Sequence, residues 1–296
     1  MPRSYANYGN RLHYYERKSG EFVRGAIAIL DSGVGGLTVA KEVMRQLPLE
    51  QIVYLGDSAR APYGSRPADE VRSYTLQVVD YLIQFQPKLL IVACNTATAV
   101  ALEDIRSKVS IPVVGVITPG ARAAIKATRS GVIGVIGTEG TISSGAYEKA
   151  LRRISPQVRY AAAACPMLVP LVESGRYSRD EALETVRRSV EPIRMRDPEM
   201  DCLILGCTHY PFLQSIIQEV MGPHVSLINS AEETAREVST VLYHKGLQSQ
   251  RVELSESPAH QFLCSGDPQL FQRISVEWLH VPVQVSSVTW PVTKSS

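Results

Sequence analysis

Cys207, Thr208 and His209 follow the apolar run 203–206 in the stretch LILGCTHYP. Cys94, Asn95 and Thr96 close a second apolar run in LLIVACNT. A thiol is a proton donor with a free pKa of about 8.5, and its thiolate is a base and nucleophile. A single cysteine on a buried strand is usually a small hydrophobe. Two of them, each at a strand end and each followed by hydroxyl or amide groups, point instead to two thiols facing one pocket. Thiols on opposite walls suit a reaction that handles both faces of one carbon. Neither stretch has the paired spacing of a zinc site or of a dithiol redox motif, so no metal is expected. A redox pair stays as an alternative, and it would need Cα atoms within about 7 Å.

Other polar residues gather at similar places. Asp31 and Ser32 precede the run Gly33-Val34-Gly35-Gly36. A strand, a glycine turn and a helix make an anion site from the helix N–H groups. The dinucleotide fingerprint would need a glycine where Thr38 stands, so that reading fails. Asp31 either caps the helix or turns its carboxylate into the crevice. Pro62-Tyr63-Gly64 brings a rigid turn, a phenol and an accessible backbone N–H together in a loop. Thr138 and Thr141 flank a second glycine turn, and Glu173 is expected in a loop after an apolar turn. Such a set suits a small ligand with carboxylates. Asp31, Glu173 and His209 are then candidates to position or exchange the thiol protons.

The elements that must hold these residues alternate. Strands are expected at 26–30, 52–55, 89–93 and 111–116, with helices at 37–47, 67–86 and 98–106 between or after them. The pattern restarts near Thr118, with a strand at 131–136, a surface helix at 179–195, the cysteine strand and a strand at 225–228. A helix to about 244, a short strand near 262 and a helix at 268–279 follow. Alternation of this kind implies parallel sheets with helices on both faces. The repeated order of strand, glycine turn and cysteine strand reads as a weak internal repeat. The fold class is therefore α/β, with two similar parallel-sheet domains facing each other. The first is expected at 25–117 plus 229–280 and the second at 118–228. Residues 1–24 read as a disordered extension, basic and aromatic but without the apolar core of a secretory signal. Residues 281–296 read as a frayed or edge tail.

Composition narrows the function classes. The chain has 296 residues, 45% hydrophobic and 20% charged, as in an ordinary globular protein. A net charge of +2 gives no reason to expect a nucleic-acid partner. Five cysteines leave an odd thiol and suit a reducing, cytoplasmic setting. No stretch has the length of a membrane span.

The motifs DSGVGGLT, GDSARAPYG, VACNTATA, IGTEGT, CPMLVPLVESG, LGCTHYPFL and SGDPQLF occur in that order. Together they resemble the glutamate racemases, of the aspartate/glutamate racemase superfamily, from about 25 to 279. The resemblance implies a cofactor-independent interconversion of L- and D-glutamate that supplies peptidoglycan synthesis and hence cell shape. It implies a cleft between two α/β domains and commonly a homodimer. Cys207 would take the α-proton of the L isomer and Cys94 that of the D isomer. Asp31 and His209 would assist, with Glu173 nearby. Asp31, Ser32, Tyr63, Gly64, Asn95, Thr96, Thr138, Thr141, Thr208 and His209 would hold the substrate. Aspartate racemisation and non-catalytic binding of an acidic ligand are the competing readings.

Overall fold

Five strands are buried at every residue and, but for Asp31 at the end of the first, carry no charge, which in a parallel sheet requires helices on both faces. The computed structural model describes residues 25–249 and 258–290; the extension expected at 1–24 lies outside the described residues. The first half runs β1 (Ile27–Asp31), α1 (Leu37–Gln46), β2 (Ile52–Gly56), α2 (Ala68–Ile83), β3 (Leu89–Val92), α3 (Asn95–Lys108) and β4 (Val113–Gly115). The second runs α4 (Ile117–Ala127), β5 (Val132–Gly137), α5 (Glu139–Ser143), α6 (Ala146–Ile154), β6 (Arg159–Ala164), α7 (Leu168–Ser174), α8 (Arg179–Arg196) and β7 (Cys202–Gly206). A 3₁₀ turn at Tyr210–Leu213, α9 (Gln214–Met221) and β8 (Ser226–Asn229) complete it. The chain then adds α10 (Ser230–His244), β9 (Gln261–Cys264), α11 (Pro268–Leu279) and β10 (Val285–Ser287).

Among the described residues ten strands form two sheets, ordered β10-β9-β2-β1-β3-β4 and β6-β5-β7-β8. Every pairing is parallel. Alternate side chains sort the helices by face. Ile27 and Ile29 pack with α1 and α10, while Ala28 and Leu30 pack with α2 and α3. In the second sheet Leu203 and Leu205 pack towards α8 and α9, and Cys202 and Ile204 towards α4 and α6. Among the described residues no helix is long and apolar enough to cross a membrane.

Four local expectations differ from the structure. Helix α3 begins at Asn95 rather than 98, because the Cys94 sulfur accepts the Ala97 N–H at 3.4 Å and caps the helix. The segment RYAAAA, poor in β-branched residues, carries no strand signal, yet β6 pairs with β5 over six positions. Glu173 lies in α7 rather than a loop. Pro170 sits in that helix's first turn, where its missing N–H costs no hydrogen bond, and Gly175 ends the helix at φ +59°. Part of the expected tail is ordered: β10 extends the first sheet beside β9.

Candidate active site at matching strand ends

Each sheet places its first strand between its second and its third. Where strand order reverses in this way, the flanking helices leave towards opposite faces and a crevice opens at the carboxyl ends. In the first sheet that point lies between β1 and β3. Leu30 pairs with Val92, and the Ala93 N–H donates to the Leu30 carbonyl at 2.9 Å. Asp31 and Cys94 therefore stand side by side at the lip. In the second sheet the point lies between β5 and β7, where Gly137 pairs with Gly206. Thr138 and Cys207 are the next residues.

Asp31 is 1% exposed. Its Oδ2 accepts the Gly33 N–H at 3.0 Å, so it caps the glycine turn. Its Oδ1 has no partner and is buried. Helix α1 has no side-chain cap, so Asp31 braces the glycine turn rather than capping the helix. Burial pushes its carboxyl up, against the pull of His209 and of the turn's N–H groups. Burial, then the neighbouring Asp31, raises the Cys94 thiol to about 12. The Ala97 N–H and the Ser32 hydroxyl act the other way, and Cys207 adds to the rise.

Around Cys207 the charges are opposite. His209 Nδ1 lies 3.8 Å from the Cys207 sulfur, and its Nε2 lies 3.0 Å from Glu173 Oε1. Burial alone would lower the imidazole. The contacts with Cys207 and Glu173 more than reverse this and raise it to about 10. Cys207, His209 and Glu173 form one chain of contacts, and the helix carrying Glu173 supplies its outer end. Trp278, from α11, meets the His209 ring edge-on at 6.4 Å and stacks on Phe212 at 3.8 Å.

The halves meet through these same loops. A Cβ on Gly35 would fall 2.3 Å from Thr208 Oγ1 and 2.5 Å from His209 Nδ1, so only glycine permits this approach. Thr38 donates to the Thr208 carbonyl at 3.3 Å. Thr96 Oγ1 lies 2.9 Å from Thr138 Oγ1 and 3.1 Å from Thr141 Oγ1. The Gly140 N–H donates to the Gly64 carbonyl at 2.8 Å. Asn95 Oδ1 accepts the Tyr147 hydroxyl at 2.7 Å. Beside Asn95, Cys207 and Ser230 the remaining space is about 10 Å³, close to that of one water.

Most of the candidate residues therefore converge. Tyr63 is the exception: its buried hydroxyl donates to Asp57, and Gly64 makes that loop's contact with the second half. Tyr147 and Trp278 were not among the candidates. Each looks like ordinary aromatic core in sequence and reaches the site only through the packing of the two halves. The remaining thiols, Cys165, Cys202 and Cys264, are buried and free. Burial raises the first two to about 12, and no residue of the constellation is hydrogen-bonded to their sulfurs.

Comparison with known proteins extends this picture. The Asp/Glu/Hydantoin racemase family model matches residues 37–238. A glutamate racemase of Exiguobacterium sibiricum is 52% identical over 259 residues, which cover 88% of this chain and 94% of that one. The crystal structure of a glutamate racemase from Bacillus anthracis superposes with a TM-score of 0.85 at 47% identity, covering 91% of this chain and 99% of that one. A glutamate racemase from Francisella tularensis, solved in complex with D-glutamate, gives a TM-score of 0.82 at 28% identity over 91% of this chain and 98% of that one.

Proposed function

Because the chain belongs to the Asp/Glu/Hydantoin racemase family, and within it to the glutamate racemases, we propose that it racemises glutamate by two-base transfer between Cys207 and Cys94. The observation that carries this reading is the opposed environment of two thiols at matching strand ends. The His209 ring faces the Cys207 sulfur at 3.8 Å, with the Glu173 carboxylate at its far nitrogen. Burial and a carboxyl beside Cys94 favour its protonated form. On this reading Cys207 is the base for the L isomer and Cys94 the acid.

In the forward step the Cys207 thiolate takes the α-proton, and the C–H electron pair stays on the α-carbon and its carboxylate. The Cys94 S–H bond breaks and its proton goes to the opposite face. The product is D-glutamate, with Cys207 now a thiol and Cys94 a thiolate. The reverse reaction uses the roles exchanged. The hydroxyls of Thr96, Thr138 and Thr141, with Ser32, Asn95, Gly64 and Thr208, hold the carboxylates and meet negative charge as it develops. The Asp31 oxygen without a partner suits the substrate ammonium. Glutamate must replace the bonds these hydroxyls make to one another, so the two domains part to admit it. The domains divide at 25–117 with 229–280, and 118–228, with the cleft between them.

The reaction needs no cofactor on this reading. Activity lost to a chelator and restored by a metal would contradict that. The D-glutamate formed serves peptidoglycan synthesis in the cytoplasm, and a strain lacking the gene should need D-glutamate to grow. The protein acts as a homodimer, which a monomeric mass in light scattering would rule out.

Heavy water tests the two-base step. Starting from L-glutamate and stopped early, the D product should carry deuterium at the α-carbon while recovered L-glutamate carries almost none. A single base would return solvent deuterium to the face it came from. Extensive early labelling of recovered substrate would therefore defeat the proposal.

A further inference from the structure

A second cluster of buried polar groups lies behind the candidate site, and the reaction does not use it. Asp57 follows β2, and its side chain is fully buried. Oδ2 accepts the Arg60 Nε–H at 2.6 Å and the Tyr63 hydroxyl. Oδ1 accepts the Ser265 hydroxyl at 2.6 Å and the Trp290 indole N–H at 2.7 Å. A buried carboxylate is tolerated only when its lone pairs are met in this way. The four donors come from three separate parts of the chain: the loop itself, the turn after β9 and the segment after β10.

Arg60 is held between two rings. Its guanidinium carbon lies 4.2 Å from the Tyr74 ring centroid and 4.5 Å from that of Trp290. Its Nη1 donates to Gln77 at 2.8 Å. Trp290 also meets Tyr81 edge-on at 6.0 Å. The segment read in sequence as a frayed or edge tail thus locks onto the loop between β2 and α2. The far end of that loop is Gly64, whose carbonyl accepts the Gly140 N–H. A Cβ on Gly64 would fall 2.6 Å from Thr138. A shift of the loop by a fraction of an ångström therefore moves directly against Thr138 and its hydroxyl partners.

We propose that residues 281–290 are a strap, and that Trp290, Arg60 and Asp57 are positioning residues that seat Gly64 against Thr138 and Gly140 and so set the affinity for glutamate. The proposal rests on the reading of Thr96, Thr138 and Thr141 as substrate-holding groups. The polar and ring partners of Trp290 are Asp57, Arg60 and Tyr81, none of them in the proton-transfer set. Its effect passes through Asp57 and Arg60 into the loop, and from the loop across to the second domain.

Two variants test it. Trp290→Phe keeps a ring over Arg60 and deletes only the indole N–H. Trp290→Ala removes both. Steady-state rates for both enantiomers and amide exchange over 57–66 are read against the wild type. Trp290→Phe should raise KM about fivefold, the size of one ordinary hydrogen bond, with kcat within about twofold. Exchange should quicken in 57–66 and not elsewhere. Trp290→Ala should go further in the same direction, and if it does not fold, Trp290→Phe carries the test. An unchanged KM, a loss confined to kcat, or faster exchange throughout the molecule would each overturn the strap. A wild type that failed to racemise glutamate would instead defeat the reading of the site, so the two failures are separable.

Discussion

Cys94 stands beside the Asp31 carboxyl, and Cys207 beside the His209 ring. The two thiols are chemically identical, and the opposite roles proposed for them rest on these neighbours. Replacing either by serine should lower racemisation by about a thousandfold or more, because a hydroxyl is a far weaker acid and removes one of two coupled groups. Cys94→Ser should still exchange the α-proton of L-glutamate with solvent, and Cys207→Ser that of D-glutamate. A mutant near the wild-type rate would show that its cysteine is no base. Asp31 offers a second test. It holds a buried carboxyl with one oxygen unmatched, an arrangement that costs stability. Asp31→Asn keeps the acceptor for the Gly33 N–H and removes the charge. It should raise folding stability by about 1–2 kcal/mol while slowing racemisation about a hundredfold. Calorimetry and a coupled assay check both, and a destabilised variant would remove the argument.

At the scale of elements, the site is built from helix starts set at strand ends. Cys94 caps α3 through its sulfur, and Thr138 caps α5 by accepting the Thr141 N–H at 3.2 Å. Each cap residue is also a candidate functional residue, so local helix formation points its side chain at the crevice. Thr138→Ala should cost about 1 kcal/mol of stability from the lost cap. It should also raise KM by about tenfold, through the lost hydroxyl beside Thr96. Denaturant melts and steady-state kinetics separate the two effects, and an unchanged KM would take Thr138 out of the binding set. Glu173 shows the same economy: α7 ends on the glycine-capped turn that leaves its carboxylate at the far ring nitrogen of His209.

Across the whole molecule, the halves are joined by contacts among the candidate site residues. This has a consequence for pH. The His209 ring holds its proton more tightly folded, with a pKa of about 10, than unfolded at 6.5. Its contribution to stability is complete below pH 6.5 and is lost as pH rises through about 10. The Cys94 thiol, raised from 9.0 to about 12, adds a further loss above pH 9. Wild-type denaturation midpoints should therefore fall steadily above neutrality. His209→Asn should flatten the part between about pH 6.5 and 9, and parallel curves for the two proteins would refute this.

The local order of the chain was legible because it is written in local signals. Buried strands read as apolar runs, glycines and prolines punctuate them, and Cys94, Cys207, Asp31 and Thr138 stand where those runs stop. That much was enough for the α/β class and for a set of candidate site residues. Sequence could not say which groups face each other, because strand order decides it. Asp31 neighbours Cys94 only because β1 lies next to β3, and Thr138 neighbours Cys207 only because β5 lies next to β7. Nor could it foresee Tyr147 on Asn95, Trp278 on His209 or Trp290 on Asp57. Each of these pairs joins residues 52 or more positions apart. An aromatic side chain carries the same local signal whether it fills a core or holds a polar partner. Only the packing of one half of the molecule against the other decides between the two.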